Sequence, residues 1–568
     1  MREQVLTYAA LTAGFASWLG AAVVSPAVVE RWILGEATGA LGWGPLLLRV
    51  TLFVNGCWLL TGAWWLRTGR FTLTGRVLKS TLSRRDWIAL GILTAVALVL
   101  RVYQLDSTLW LDEIGTLRDF VRRPFREILT LFPHGNQHML YSLLGRISTL
   151  ALGESPAALR LPAVAFGVAS LWPLFFLGRR LLGTKYALFS CALLAVSYHH
   201  VWFSQNARAY TALLFFVVAA TYFWVHALET AQFRQWLAYA VATTGGFAAH
   251  ISMAFLTAAH VSFWLLAGVR QRRLEWRALA AWSLAATWTL QFYSLSLPQF
   301  VREGMHEPSP RSEWSDLTWV IAETLANLTR AFTGSLSVAL AAVALAYGLW
   351  RIWRREPAAG FSMLVPIFLV AFTFAVRQQN LFPRYFFFAM GFAILCVVSG
   401  AVEIPRRLLP GGSAAAHERA AVLLLTAMVV LAAVMVPRCY EAPKQDFTGA
   451  RDYVEARRRP GEVALTVGLA NIALPGYYAP AWHGVETAEE LYFWIQSGQG
   501  LWLVYTLPTQ LRGFHPEMWR LVENHFLVER SFGGTLRGGE VYVCRLRSGA
   551  RSETSVGEPL ETGFSNTD

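Results

Sequence analysis

Charge is scarce in this 568-residue chain: Asp, Glu, Lys and Arg together make up 15% of it, while 55% of the residues are hydrophobic. That balance excludes an ordinary soluble globular protein. Acid is the scarcer sign, 36 Asp and Glu against 49 Lys and Arg, leaving a formal charge of +13. Cysteine is nearly absent, with five residues. Cys57, Cys191 and Cys396 fall in apolar stretches where a thiol packs as a small hydrophobe. Only Cys439 and Cys544 lie in a region where an exported disulfide is permitted. The chain has no Walker loop, no HExxH, no CxxC pair and no GxGxxG opening a helix, so nucleotide hydrolysis and structural zinc are unsupported. A cleavable signal peptide is not expected either, because the first apolar stretch is long enough to remain as an anchor.

What the chain has instead is apolar length. Runs of about 17–25 residues suit a helix crossing a hydrocarbon layer roughly 30 Å thick. They predict spans near 5–28, 45–66, 87–104, 160–178, 186–203, 209–228, 236–250, 252–268, 278–297, 334–352, 360–376, 384–402 and 419–437, about thirteen in all. The fold class expected is an α-helical polytopic membrane protein. Arginine and lysine gather in alternate connectors: Arg67 to Arg85, Arg179 to Lys185, Arg270 to Arg277, Arg351 to Arg355, and Arg406 with Arg407. With thirteen spans all five connectors share one side, which the positive-inside rule makes cytoplasmic. The amino terminus is then cytoplasmic and everything after about residue 438 is outside. These topology signals account for most of the net charge, so no nucleic-acid partner is inferred.

Two long segments are expected outside the membrane. Residues 105–159 read as short amphipathic helices in the interface, with Trp110 and Tyr141 at headgroup depth. Residues 298–333, rich in Pro, Glu and Ser, read as a binding loop or lid. Past residue 438 the grammar changes to a small α/β domain over 438–548. DFTGARDYVEARRR, AEELYFWIQ and PEMWRLVENHF read as helices there, and EVALTV, LWLVYTL and EVYVCRL as strands. The polar tail, 549–568, reads as disordered. Residues 1–66 form an added hairpin without chemistry, and 67–437 the membrane module.

The chemistry-bearing residues crowd near the predicted outer ends of spans. Asp112 and Glu113 follow the third span within LRVYQLDSTLWLDE, at a water boundary where a carboxylate can take a proton or bind a divalent metal. His134 and His138 flank a Gly-Asn-Gln turn and can help hold a phosphate or a metal; His199, His200 and His250 are weaker candidates of the same kind. Arg208, in SYHHVWFSQNARAY, lies at the membrane edge, where an unpaired guanidinium is costly. It needs an anion, either an Asp or Glu or a lipid-linked phosphate whose oxygens fit the guanidinium fork. Arg377 and Arg384, in RQQNLFPRYFFF, repeat that logic. His138, Tyr141, Gln205, Tyr210 and Tyr385 are the accompanying candidates for substrate contact.

LRVYQLDSTLWLDE resembles the first external loop of GT-C glycosyltransferases, in the superfamily holding the protein O-mannosyltransferases and the lipid A aminoarabinose transferases. ESPAALRLPAVAFGVASLWPLFFLGRRLLG, WFSQNARAYTALLF and FPRYFFF resemble further segments of that group. The likeness covers roughly residues 87–470, and its specific motifs are the carboxylate loop and the Arg-Leu-Pro segment. The resemblance implies a GT-C fold and transfer of a sugar from a polyprenyl phosphate, in a bacterial inner membrane. It makes Asp112 the base, with Glu113 orienting the acceptor or assisting Asp112. Arg208, Arg384 and Arg377 are placed near the donor phosphate. The acceptor is a lipid, a glycan or a protein; no nucleotide is required, and a divalent metal is left open. A flippase of lipid-linked saccharide is the alternative, and it lacks the internal repeat such proteins show.

Overall fold

The computed structural model describes residues 2–68, 82–230, 232–272, 274–303, 305, 316–332 and 334–547. Part of the 298–333 loop, much of the first basic connector and the tail 549–568 lie outside the described residues. The chain divides into two compact units. One comprises Met1–Ser107 and Gly115–Glu441; the other joins Thr108–Ile114 to the residues from Ala442 onward.

The first unit is an α-helical polytopic membrane fold. Among the described residues nine helices are long and apolar enough to cross a membrane, and a tenth if the bent pair Thr184–Ala195 and Tyr198–Ser204 is one span. Helices also form at the remaining expected spans, Arg84–Val102, Phe233–Ala249 and Trp276–Tyr293. They miss that standard for visible reasons. The first carries Arg84, Arg85, Asp86 and Arg101, the second has only 17 residues, and the third is rich in Trp, Thr and Gln. The expected break near residue 251 is real: Phe233–Ala249 and Met253–Gln271 are separate helices. The amino-terminal hairpin pairs Arg2–Val23 with Gly44–Arg67, and a side chain at Gly56 would meet the Trp18 ring at 2.2 Å. Only glycine allows that approach.

Helix Tyr210–Thr230 is the central element, with most of its side chains buried. Lipid cannot satisfy polar groups, so those inside the bundle satisfy one another. His260 Nδ1 is 2.9 Å from the Tyr239 hydroxyl, and its Nε2 is 3.1 Å from Ser362 Oγ. The Trp282 indole donates to the same tyrosine at 3.0 Å.

Two fully buried arginines shape the end of helix Arg84–Val102 and the residues after it. Arg101 donates to the carbonyls of Ala97, Ala195 and Leu194 and to Ser204 Oγ, at 2.9–3.1 Å, and lies 2.6 Å from His200 Nδ1. Arg160, from the Arg-Leu-Pro segment, donates to the Leu105 carbonyl at 2.7 Å and to the Ser107 carbonyl at 2.8 Å. A delocalised five-donor guanidinium can serve several carbonyls at once, which an ammonium cannot. The helix is thereby fixed at Arg101 and the turn that follows it at Leu105 and Ser107.

The second unit is an α/β fold built on a five-stranded sheet: β1 (Val463–Val467), β2 (His483–Val485), β3 (Leu501–Thr506), β4 (Phe526–Phe532) and β5 (Val541–Leu546), in the order β2-β1-β3-β5-β4. The β1–β2 and β1–β3 pairs are parallel, and β5 is antiparallel to both β3 and β4. Strand β3 is central and buried throughout, as its unbroken apolar run requires. The expected strands are β1, β3 and β5, and the expected helices appear as Phe447–Glu455, Ala488–Gln496 and Pro516–His525. Strands β2 and β4 were not foreseen. The first has three residues, and β4 is an exposed edge strand with no alternating burial to mark it. Cys439 and Cys544 are both buried, and neither is in a disulfide. The permitted disulfide is not formed: Cys439 Sγ donates to the Tyr198 carbonyl at 3.3 Å, and Cys544 packs in the core of the sheet.

Replacing Arg160 by Leu leaves the carbonyls of Leu105 and Ser107 without this donor, at about 1–3 kcal/mol for the buried Leu105 acceptor and less for the exposed Ser107. The variant is expected to unfold a few degrees below the parent in a detergent thermal melt, and an unchanged melting temperature would contradict this account of the exit turn.

Candidate functional site

The membrane unit carries a buried cationic cluster where two helices begin. His138 caps the N-terminus of Met139–Leu152, and Arg208 and Ala209 immediately precede Tyr210–Thr230. The Ala209 N–H donates to His138 Nδ1 at 3.1 Å, joining the two starts. Helix N-termini carry partial positive charge and free N–H groups, a setting that favours anions. Arg208 is 3% exposed. It donates to Asn136 Oδ1 at 3.0 Å, and its guanidinium lies 5.9 Å from the Tyr210 ring centre. Among the described residues no carboxylate pairs with it.

His250 completes the arrangement, its ring 4.8 Å from that of His138 and 6.0 Å from that of Tyr210. Burial first, and then the nearby Arg208, His250 and Arg384, hold the His138 imidazole well below the usual histidine range. It is therefore neutral at pH 7. With Nδ1 accepting from Ala209, the ring proton sits on Nε2, a buried donor with no hydrogen-bond partner among the described residues. The influence on His138 also brings Arg384 into this group. The Arg384 guanidinium packs 4.5 Å from the Phe382 ring centre and 5.9 Å from that of Tyr385. Two arginines, one imidazole N–H and two helix N-termini make a site suited to a phosphate.

The carboxylate pair belongs to the other unit. Asp112 and Glu113 occupy the first turn of Leu111–Thr116, where the helix dipole favours anions. Their environments differ. Glu113 is fully buried, accepts the Trp110 N–H at 3.4 Å and lies 3.8 Å from Lys444 Nζ. That reach back to the residue before the helix is half of a capping box. Asp112 is only partly buried. Leu109 and Leu111, just before the pair, are held by Tyr478 and Gln445.

The other expected contact residues have different occupations. Tyr141 is 2% exposed and donates to the Leu159 carbonyl at 2.7 Å, tying Met139–Leu152 to Pro156–Ala169. Trp110 is likewise buried within the protein. Gln205 donates to the carbonyls of Arg101 and Tyr103 at 3.1 and 2.6 Å. Arg377 is exposed and reaches the Met305 carbonyl at 3.4 Å. His200 is turned to Arg101 and His134 packs on Phe120. Among the described residues no group of three His, Cys, Asp or Glu side chains is placed to hold a metal ion. Sequence reasoning gave no role to Asn136, Lys444, Gln445 or Tyr478. Gln445 meets Leu111 across 334 residues, a separation that leaves no local signal.

The family model described as dolichyl-phosphate-mannose-protein mannosyltransferase matches residues 136–296. This stretch holds Asn136, His138, Arg208, Tyr210 and His250 and stops short of Asp112, Glu113 and Arg384. No curated protein matches the chain by sequence. Among solved structures, the chain is similar to ArnT from Cupriavidus metallidurans bound to undecaprenyl phosphate, at 13% identity and a TM-score of 0.44, covering 82% of this chain and 99% of that one. It is also similar to the apo oligosaccharyltransferase of Archaeoglobus fulgidus, at 12% identity and a TM-score of 0.48, covering 79% and 74%. A third similarity is to the arabinosyltransferase EmbB of Mycobacterium smegmatis, at 12% identity and a TM-score of 0.42, covering 70% and 46%.

The cluster predicts anion affinity without any turnover. Arg208→Gln is expected to weaken binding of a simple alkyl phosphate in detergent about 10-fold or more, as loss of a charged hydrogen-bond donor implies. His138→Gln, which returns an N–H near the Nε2 position, should bind better than His138→Phe. Equal affinity for Arg208→Gln and the parent in titration calorimetry would remove the anion from this site.

Proposed function

We propose that the chain is an integral membrane glycosyltransferase that moves a sugar from a polyprenyl-phosphate donor to an acceptor on the extracytoplasmic side. The observation that carries this reading is Arg208, a buried guanidinium with no carboxylate partner among the described residues. Burying such a charge is costly unless a counter-ion is part of the working state. A phosphate supplies that counter-ion, and a lipid-linked one reaches it from the bilayer. The matched family model, named for a sugar carried on a polyprenyl phosphate, supports the same donor class.

In this reading Arg208 and Arg384 take up the negative charge that grows on the leaving phosphate as the anomeric carbon–oxygen bond breaks. Preorganised cations in a water-poor site stabilise such charge strongly. His138 donates its Nε2–H to a phosphate oxygen. Asp112, the partly buried member of the carboxylate pair, takes the acceptor proton as the acceptor oxygen or nitrogen bonds to the anomeric carbon. A single displacement with one base inverts that carbon. The donor is already activated, so no nucleotide enters the reaction. The acceptor is a lipid, a glycan or a protein. Basic residues at alternate helix ends support a cytoplasmic amino terminus and an extracytoplasmic C-terminal unit in a bacterial inner membrane. Arg67, Arg179 with Arg180, Arg270, Arg354 with Arg355, and Arg406 with Arg407 each occupy a last helical turn.

A panel of undecaprenyl-phosphate hexoses and pentoses tests the reading, with released undecaprenyl phosphate measured by mass spectrometry. At least one donor should turn over, and Asp112→Asn should lower that rate about 10²–10⁴-fold, the usual worth of a general base. The anomeric configuration of the product should be inverted by NMR. Retention of configuration, or full activity of Asp112→Asn, would sink the mechanism.

A further inference from the structure

The carboxylate loop is packed as part of the C-terminal unit. Residues Thr108–Ile114 group with the chain from Ala442 onward, although Ser107 before them and Gly115 after them belong to the membrane unit. Leu109, Trp110, Leu111 and Ile114 are buried, leaving Asp112 as the partly exposed residue between Leu111 and the fully buried Glu113.

Three side chains make this attachment. The Tyr478 hydroxyl accepts the Leu109 N–H at 2.7 Å and donates to the Leu109 carbonyl at 2.9 Å, reading both backbone groups of one residue. Gln445 accepts the Leu111 N–H through Oε1 at 3.2 Å. Its Nε2 donates to the Gly539 carbonyl at 3.0 Å and to Thr506 Oγ1 at 3.2 Å, so the loop is joined to the end of β3. Lys444, 7% exposed, faces Glu113. The Pro443 and Lys444 carbonyls accept the N–H groups of Thr535 and Leu536 at 2.9 and 3.0 Å, which holds the supporting segment still. Gly534 lies against that segment, where a side chain would meet the Lys444 carbonyl oxygen at 2.4 Å.

Resting on the reading of Asp112 as the base, we propose that the C-terminal unit is the positioning frame of that base. Tyr478, Gln445 and Lys444 are its positioning residues, and Glu113 is the buried anchor through which Lys444 acts. The division of the pair follows. Asp112 meets the acceptor, and Glu113 is committed to the Trp110 N–H and to Lys444 within the protein. The inference gives the C-terminal unit a part in turnover rather than in donor binding.

Tyr478→Phe keeps the ring and removes only the hydroxyl that holds Leu109. With the donor that the parent enzyme turns over, kcat should fall about 10-fold while the donor KM stays within about 2-fold, since small misplacement of a reacting group costs rate rather than affinity. Hydrogen exchange of the 108–114 peptide in the full-length enzyme should become faster. Glu113→Gln and Lys444→Met should each lower kcat, and the double variant should be no slower than the slower single one, because the two act as a unit. Multiplying effects would show that Glu113 acts apart from Lys444 and would overturn its anchoring role. Parent-level kcat and unchanged exchange in Tyr478→Phe would overturn the frame. If Asp112→Asn keeps full activity, the reading of the base fails; if it loses activity while Tyr478→Phe does not, only the positioning role fails.

Discussion

A guanidinium inside a helical membrane bundle must be compensated, and three arginines of the membrane unit meet that demand in two ways. Arg101 and Arg160 spend their donors on backbone carbonyls, fixing a helix end and the turn that follows it. Arg208 is compensated only by an amide oxygen and an aromatic face among the described residues. Carbonyl-rich coordination makes the first two arginines structural. The lean coordination of the third keeps a positive potential at the start of two helices, where an anion is most stabilised.

The neutral state of His138 belongs to the same electrostatics. A histidine buried beside arginines stays uncharged, and the Ala209 N–H selects the tautomer that points its proton away from Nδ1. The cluster therefore carries two kinds of donor, charged forks and a neutral imidazole N–H, with no titration near neutral pH from His138.

Adjacent residues of like chemistry took different roles for reasons of burial. Asp112 and Glu113 share a helical turn, yet Asp112 is only partly buried while Glu113 is fully buried, closes a cap and meets a lysine. Similarly, Tyr141 and Tyr210 were equal candidates for substrate contact. Tyr141 spends its hydroxyl on the Leu159 carbonyl, while the Tyr210 ring lies among Arg208, His138 and His250. Of Arg208, Arg384 and Arg377, the first two act on a common histidine, and Arg377 is exposed and reaches the Met305 carbonyl.

The amino-acid sequence by itself determined the features that depend on local composition. Apolar runs set nearly every helix of the membrane unit, because hydrocarbon leaves the backbone no other way to satisfy its own hydrogen bonds. Alternating and continuous apolar runs set strands β1, β3 and β5, and the place of Asp112 and Glu113 just past an apolar run marked that pair. Tertiary structure decided which of these groups work together. Only folding placed Arg160 on Leu105 and Ser107, His250 on His138, and Gln445 on Leu111. It alone revealed β4, whose exposed edge carries no pattern. The reason is physical: periodicity records which face of an element is buried, whereas a hydrogen bond between residues hundreds of positions apart depends on how whole elements pack.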